Sequence, residues 1–141
     1  MSSSSGKAQY FQTPGPWGTE AQTAGYSQSV SFPANGRIAV TAGQPGIDLK
    51  TGKLVTSSLE DQIEAAFDTV DSALVAAGAS GGLATAHKMT IFYLDIRNEP
   101  ILMNIFRRRY PNTRPALLAI GTPTLAISGM HVEIQAEAVV G

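Results

Sequence analysis

The sequence predicts an α+β fold: one domain with a mixed, mostly antiparallel sheet and two helices on one face, in the order ββαβαββ. Three observations carry this. Residues His131 to Val140 alternate polar and apolar side chains, the period of a half-buried strand. Residues 59–77 repeat apolar side chains at helical spacing behind an N-cap. A second apolar stripe, Ile101, Leu102, Ile105, Phe106 and Tyr110, follows a strand-like run and marks another helix.

The elements follow in chain order. Residues 1–25 read as an arm with Pro14, Pro16 and several glycines. Tyr10, Phe11 and Trp17 within it predict that part of the arm docks on the domain or on a neighbour, because a free tail gains nothing from three aromatics. Val30 and Phe32 alternate with Ser29 and Ser31, and Arg37 to Thr41 alternates again beyond Asn35-Gly36. Asn-Gly tolerates positive φ at both turn positions, so residues 27–33 and 37–42 are expected to form an antiparallel hairpin.

Turn-forming stretches at 43–46 and 50–53 lead to a helix with Ser58 as N-cap and Asp61 three residues on. Ile63, Phe67, Val70 and Leu74 form its buried stripe, and Gly78 suits the left-handed position just past its end. Lys88 to Leu94 is β-branched and aromatic and reads as a buried central strand. Asn98 offers a cap for the second helix, Pro100 fits its first turn, and Arg107, Arg108 and Arg109 complement the dipole of its last. Ala116 to Ile120 and His131 to Val140 close the sheet. With both helices on one side, the other sheet face is left bare, and self-association is the simplest way to cover it.

Composition narrows the function. The chain has 141 residues, 43% of them hydrophobic and 15% charged, below the usual charged share of about 25%. The net charge of −1 argues against a dedicated nucleic-acid binder, which needs a basic field. The absence of cysteine excludes disulfides, thiolate metal sites and a cysteine nucleophile, and two histidines make a multi-histidine metal site improbable. No cofactor and no metal are expected. No apolar run reaches the roughly 20 residues of a membrane span, and the serine-rich start, Met1 to Gly6, has no apolar secretory core. A soluble cytoplasmic protein is the expectation.

Six short segments occur in the order and spacing of a known family. Gly25-Tyr26-Ser27-Gln28-Ser29-Val30 is similar to the GPYSQAV opening of the YjgF/RidA family, the reactive intermediate deaminases. Thr41-Ala42-Gly43-Gln44 resembles its SGQ segment, and Asp48 to Val55 its DPxTGElV segment. Ala76-Ala77-Gly78-Ala79-Ser80 resembles AAGAS, Asn104 with Tyr110-Pro111 its N…YF pattern, and Val132 to Ala136 its closing VEIEAIA. The resemblance covers residues 24–140, which sets a family-like domain at 24–141 and leaves 1–23 as a Gly/Pro-rich arm. It implies the YjgF-like, chorismate-mutase-like fold, a homotrimer around a central barrel, and clefts between neighbouring subunits. It also implies hydrolysis of enamines and imines such as 2-aminoacrylate.

The sequence departs from the family at one point. Deaminating members carry PARS at the start of the strand after the second helix, and its arginine clamps the substrate carboxylate. Here the stretch is Pro115-Ala116-Leu117-Leu118, with Leu117 at the arginine's place and Arg114 three residues earlier. Gly121 to Leu125 also replaces the family's EVARLP.

The resemblance singles out candidate site residues. Glu133 is either a cleft carboxylate that positions a water or a solvated strand glutamate. Tyr26 is a cleft-lining donor or a packing aromatic. Gly43 and Gln44 offer backbone groups for an oxygen, or form a plain turn. Asn104 reaches the cleft or bonds locally. Arg107 to Arg109 with Arg114 solvate a helix end or contact an anion or RNA. His131 is a surface histidine or a second acid–base group, and Leu117 is a cleft wall. The expected activity is water-assisted or acid–base chemistry on a reactive imine, enamine, enol or related carbonyl metabolite, other than 2-aminoacrylate, in a clean-up role or a dedicated pathway. The alternatives are a non-catalytic ligand-binding trimer and a ribonuclease or translation-inhibitor relative.

Overall fold

The computed structural model describes residues 8–33 and 35–141. Residues 1–7 of the expected arm and Ala34 lie outside the described residues. The elements are β1 (Gln9–Phe11), α1 (Pro16–Ala24), β2 (Ser29–Ser31), β3 (Ile38–Val40), α2 (Leu59–Ala76), β4 (Ala86–Tyr93), α3 (Glu99–Arg109), β5 (Ala116–Gly121) and β6 (Val132–Val139). Four strands form one sheet in the order β3-β6-β4-β5, and β1 and β2 form a separate ribbon. Only β4 and β5 run parallel, joined through α3. The α+β class and the mixed, mainly antiparallel sheet are as the sequence predicts.

α2 forms for the reasons its sequence states. Ser58 Oγ accepts from the Asp61 N–H at 3.0 Å and closes the first turn. At the other end Gly78 takes φ +102°, Ala79 N–H reaches back to Leu74 C=O, and Gly78 N–H to Val75 C=O. Its stripe of Ile63, Ala66, Phe67, Val70 and Leu74 is fully buried. That stripe meets Leu102 and Phe106 of α3 and the inner faces of β4 (Met89, Ile91, Tyr93) and β6 (Val132, Ile134, Ala136, Ala138). Each large side chain so buried contributes about 1.5–3 kcal/mol. Phe67, Phe106 and Tyr110 form an aromatic knot with centroids 5.4–6.0 Å apart.

Strand register settles what lies on the opposite sheet face. Phe92 is opposite Glu133, Thr90 opposite Gln135 and Lys88 opposite Glu137, while Ile38 and Val40 flank Val139 and Glu137. Val40 is 59% and Leu118 57% exposed there, so this face is bare in the single chain.

Three expectations are corrected. Segments 27–33 and 37–42 do not pair as a hairpin: β2 pairs with β1 and β3 with β6. Pro33 has no N–H to extend the β2 ladder, and β3 instead buries Ala39 beside Ala138 in the main sheet. The Asn35-Gly36 turn takes positive φ at Gly36 alone, so it is not the doubly positive turn expected. Asn98 makes no side-chain cap on α3; Asp95 accepts from the Arg97 N–H and opens a short 3₁₀ turn that feeds the helix.

A third helix, α1, lies within the stretch read as an arm. Pro16 sits in its first turn and Gly25 ends it in the left-handed region. Its buried side is made of small residues, Gly18 and Ala21. A Cβ at Gly18 would overlap the Thr13 carbonyl, so the helix lies directly against the preceding backbone.

Candidate functional site

β6 is the element on which the candidate residues converge. An antiparallel bridge ties Gln44 to Ile134: Gln44 N–H donates to Ile134 C=O at 2.7 Å and Ile134 N–H returns a bond at 3.0 Å. This places Gly43 beneath the next outward-facing side chain, that of Glu133. A Cβ on Gly43 would overlap the Glu133 carboxylate, so only glycine leaves room for it. Among the described residues the Glu133 carboxylate has no hydrogen-bond or ion-pair partner, and the residue is half-buried. Its carboxylate is therefore free to bond to water or a ligand.

The carboxylate forms one wall of an open groove of about 320 Å³, lined also by Phe92, Thr122, Thr124, Leu125 and Ala126. Phe92 is the cross-strand neighbour of Glu133, and such pairs stand about 5 Å apart. The 121–126 loop is held by Thr122 N–H to Tyr93 C=O at 2.8 Å and Thr122 Oγ1 to Thr124 C=O at 3.1 Å. The stretch that departs from the family's EVARLP thus sits beside Glu133. An aromatic face, two threonines and a free carboxylate can bind a small planar molecule and move a proton to or from it.

The remaining candidates separate. His131 lies two residues ahead of Glu133, just before β6; its side chain is exposed and does not line the groove. Its backbone N–H donates to Gln62 Oε1 at 2.6 Å. Gln62 is buried on α2 and also donates to Val55 C=O at 2.9 Å and Gly129 C=O at 3.0 Å, so one amide fixes the entry to β6. Gln62 carries no sequence signal of this role, since a glutamine inside a helix looks like ordinary surface.

The segment that carries Tyr26 and the strand that carries Leu117 meet elsewhere, at the outer edge of β5. Ser27 bridges Ala116, with Ser27 N–H on Pro115 C=O at 2.9 Å and Ser27 Oγ donating to Arg114 C=O. Leu117 is in register with Met89, packs against the core and lines a second, more apolar cleft with Val30 and Phe32. Arg114 donates its Nη1 to the Pro111 and Thr113 carbonyls at 3.1 and 3.0 Å. Within one chain, then, the Leu117 edge and the Glu133 groove share no lining residue.

Asn104 bonds locally, accepting from Arg107 one turn on, while Arg107 also donates to Ala24 C=O. Arg109 binds Glu64 at 2.9 Å and Asp68 at 2.6 Å and lies over the Phe67 and Tyr110 rings, and Arg108 pairs with Glu64. Arg107, Arg108 and Arg109 are therefore committed to α1 and α2 rather than gathered with Arg114 into a free anion site. Among the described residues no three histidine, aspartate or glutamate side chains gather as metal ligands would. No described helix is long and apolar enough to cross a membrane.

Comparison with known proteins agrees with the motifs. The model of the endoribonuclease L-PSP family matches residues 19–140. A RutC family protein of Pyrococcus horikoshii is 28% identical over 111 residues, 79% of this chain and 83% of the relative. A Dermatophagoides farinae protein named 2-iminobutanoate/2-iminopropanoate deaminase is 25% identical over 115 residues, 82% of this chain and 85% of its own. The solved structure of YyfB, a Rid-family protein of unknown function from Yersinia pestis, matches with a TM-score of 0.78 at 20% identity, covering 94% of this chain and 98% of that one; at that identity it speaks for the fold. With the family model spanning nearly the whole described chain, and its motifs placed on the elements just described, the chain belongs to the endoribonuclease L-PSP family, the YjgF/RidA group of its sequence motifs.

Proposed function

We propose that the protein catalyses hydrolysis or tautomerisation of a small reactive imine, enamine or enol, with Glu133 as the acid–base group. The observation that carries this is the unpaired Glu133 carboxylate, seated against the Gly43 backbone in an open groove. In the hydrolytic form, Glu133 takes a proton from water as its oxygen adds to the C=N carbon. The proton passes to the nitrogen and gives a carbinolamine; its hydroxyl proton then moves to the nitrogen by way of Glu133 as the C–N bond breaks, so that ammonia or an amine leaves and the carbonyl forms. The imine deaminase name of the Dermatophagoides farinae relative supports the substrate class.

The working assembly in this proposal is a homotrimer, closed through the bare sheet face. Exposed Ile38, Val40 and Leu118 on that face support it, as contiguous apolar surface is costly to leave in water. The Leu117 edge of one subunit would then face the Glu133 groove of the next. Leu117 leaves a substrate carboxylate without a planar cationic clamp, and an unpaired carboxylate entering a partly buried cleft is expensive. The favoured substrate therefore lacks a free α-carboxylate, or carries it to Arg114 across an interface. A ribonuclease role is disfavoured by the net charge of −1 and by the internal pairing of Arg108 and Arg109.

The test is a panel of imines, enamines, enols and lactones with product followed by mass spectrometry, run on wild type and Glu133→Gln. The variant should keep its mass in light scattering and lose about 10²–10⁴-fold in rate. Equal turnover by both removes Glu133 from the chemistry. Binding without turnover in both would make the protein a ligand-binding member of the fold.

A further inference from the structure

Glu133 is the only charged side chain among the described residues that line its groove. The other carboxylate on this face of β6, Glu137, is engaged: His87 Nε2 lies 2.8 Å from its Oε2, and Lys88 stands opposite it in the ladder. Glu133 stands opposite Phe92 instead, an uncharged ring. Arg97, the first cation after β4, makes a two-pronged pair with Asp95 through Nε at 2.9 Å and Nη2 at 2.8 Å. The two motifs in which the resembled family carries an arginine, PARS and EVARLP, are Pro115-Ala116-Leu117-Leu118 and Gly121 to Leu125 here. Both have lost their cation, while Gly43 and Glu133 stand where the motifs place them.

An uncompensated carboxylate in a half-buried groove sets the charge of what the groove takes. A substrate carboxylate would meet repulsion there and no cation to offset it. A flat cation gains twice: it pairs with Glu133, and its face lies against the Phe92 ring, whose π-cloud attracts positive charge. We propose that the native substrate is a planar iminium cation, protonated or N-alkylated, with no carboxylate of its own. This rests on the acid–base role proposed above for Glu133 and adds to it the charge of the substrate. In the trimer proposed above, the neighbouring edge brings Leu117 to the cleft; its Lys88 is offset by Glu137, and its Arg114 Nη1 is bonded to the Pro111 and Thr113 carbonyls. The charge also serves the reaction, since C=N⁺ is a stronger electrophile than a neutral imine. Glu133 takes a proton from water as the water oxygen adds to the C=N⁺ carbon, and the π pair moves onto nitrogen to leave a neutral carbinolamine. Glu133 then gives that proton to the nitrogen and takes the hydroxyl proton as the C–N bond breaks. An amine and a carbonyl result, and Glu133 releases the last proton to solvent.

The experiment titrates the full chain with N-methylpyridinium, toluene and benzoate, flat bodies of similar size that differ in charge, and follows the backbone amides by NMR. N-methylpyridinium should bind about ten-fold more tightly than toluene, the joint effect of a partly exposed ion pair and a cation over an aromatic face. Benzoate should bind most weakly, and the shifts should centre on residues 122–126. Glu133→Gln, with its mass in light scattering unchanged, should reduce the cation's advantage to about two-fold, the share of the ring alone. Equal affinity of the three probes, benzoate binding most tightly, a full preference that survives Glu133→Gln, shifts that spare residues 122–126, or no binding at millimolar concentration would each overturn the proposal. Turnover separates this inference from the reading beneath it. Glu133-dependent hydrolysis of neutral imines with no cation preference refutes the cationic substrate alone. A cation preference without turnover of any imine supports the charge selectivity and refutes the acid–base role.

Discussion

Replacing Gln62 with leucine tests how the entry to β6 is held. The side chain is buried and makes three bonds to backbone: two donated, to Val55 and Gly129, and one accepted, from His131. Leucine has nearly the same volume, so no cavity opens and the change isolates the hydrogen bonds. Three backbone groups are stranded, and an unsatisfied buried group costs about 1–3 kcal/mol. Gly129 and His131 are exposed residues, so water recovers part of the loss there. Val55 is only half-exposed and recovers less. The net destabilisation should be about 2–4 kcal/mol, or a fall in Tm of about 6–12 °C for a chain of this size. Urea and thermal unfolding followed by circular dichroism measure it. Hydrogen exchange adds a local readout, since the His131 amide should lose protection beyond what the global change explains. A loss below about 1 kcal/mol, the net worth of a single bond, with the His131 amide still protected, would refute the argument that this glutamine anchors the strand bearing Glu133.

Three further outcomes follow from the same geometry. Gly43→Ala should push the Glu133 carboxylate aside and cost about 10²-fold in turnover, as ångström-scale misplacement of a reacting group does; steady-state rates beside an unchanged Tm would show it. Glu64 is drawn upward in pKa by burial, but its hydrogen bonds from Arg109 and Arg108 more than reverse this and hold it below its ordinary 4.5. A depressed folded value means the contribution is present above 4.5 and lost as pH falls through the folded value. Glu64→Gln should therefore lower stability at neutral pH and flatten its decline in acid, read by urea titrations across pH. Leu117→Arg should create measurable deamination of carboxylate-bearing imines such as 2-aminoacrylate; wild type clearing 2-aminoacrylate as fast as that variant would show the clamp to be dispensable.

Much of the fold was legible because it rests on residues near one another in sequence. Ser58, the apolar stripe through Leu74 and Gly78 are each a local statement, and α2 obeys all three. The alternation of β6 likewise announced which residues face the helices and which, Glu133 among them, face away. α1 was not legible in the same way. Its buried side is Gly18 and Ala21, and its fit to the Thr13 backbone depends on the absence of side-chain volume, which leaves no apolar period to read.

The choice of strand partners belongs to the tertiary structure alone. Ser29 to Ser31 and Ile38 to Val40 are strands, as their patterns imply, yet each pairs with a segment other than its sequence neighbour. Pairing is decided by which arrangement buries the most apolar surface and satisfies the most backbone groups over the whole chain. The site divides the same way. Glu133 and Gly43 are recognisable as family motifs, but they are 90 positions apart and touch only because Gln44 pairs with Ile134. His87 and Glu137, 50 positions apart, meet only because the β4 ladder slips by one residue beside them. Local sequence determines an element's kind and which side chains share a face. Which faces meet, and so which charges are left without partners, is settled by competition among contacts distant in the chain.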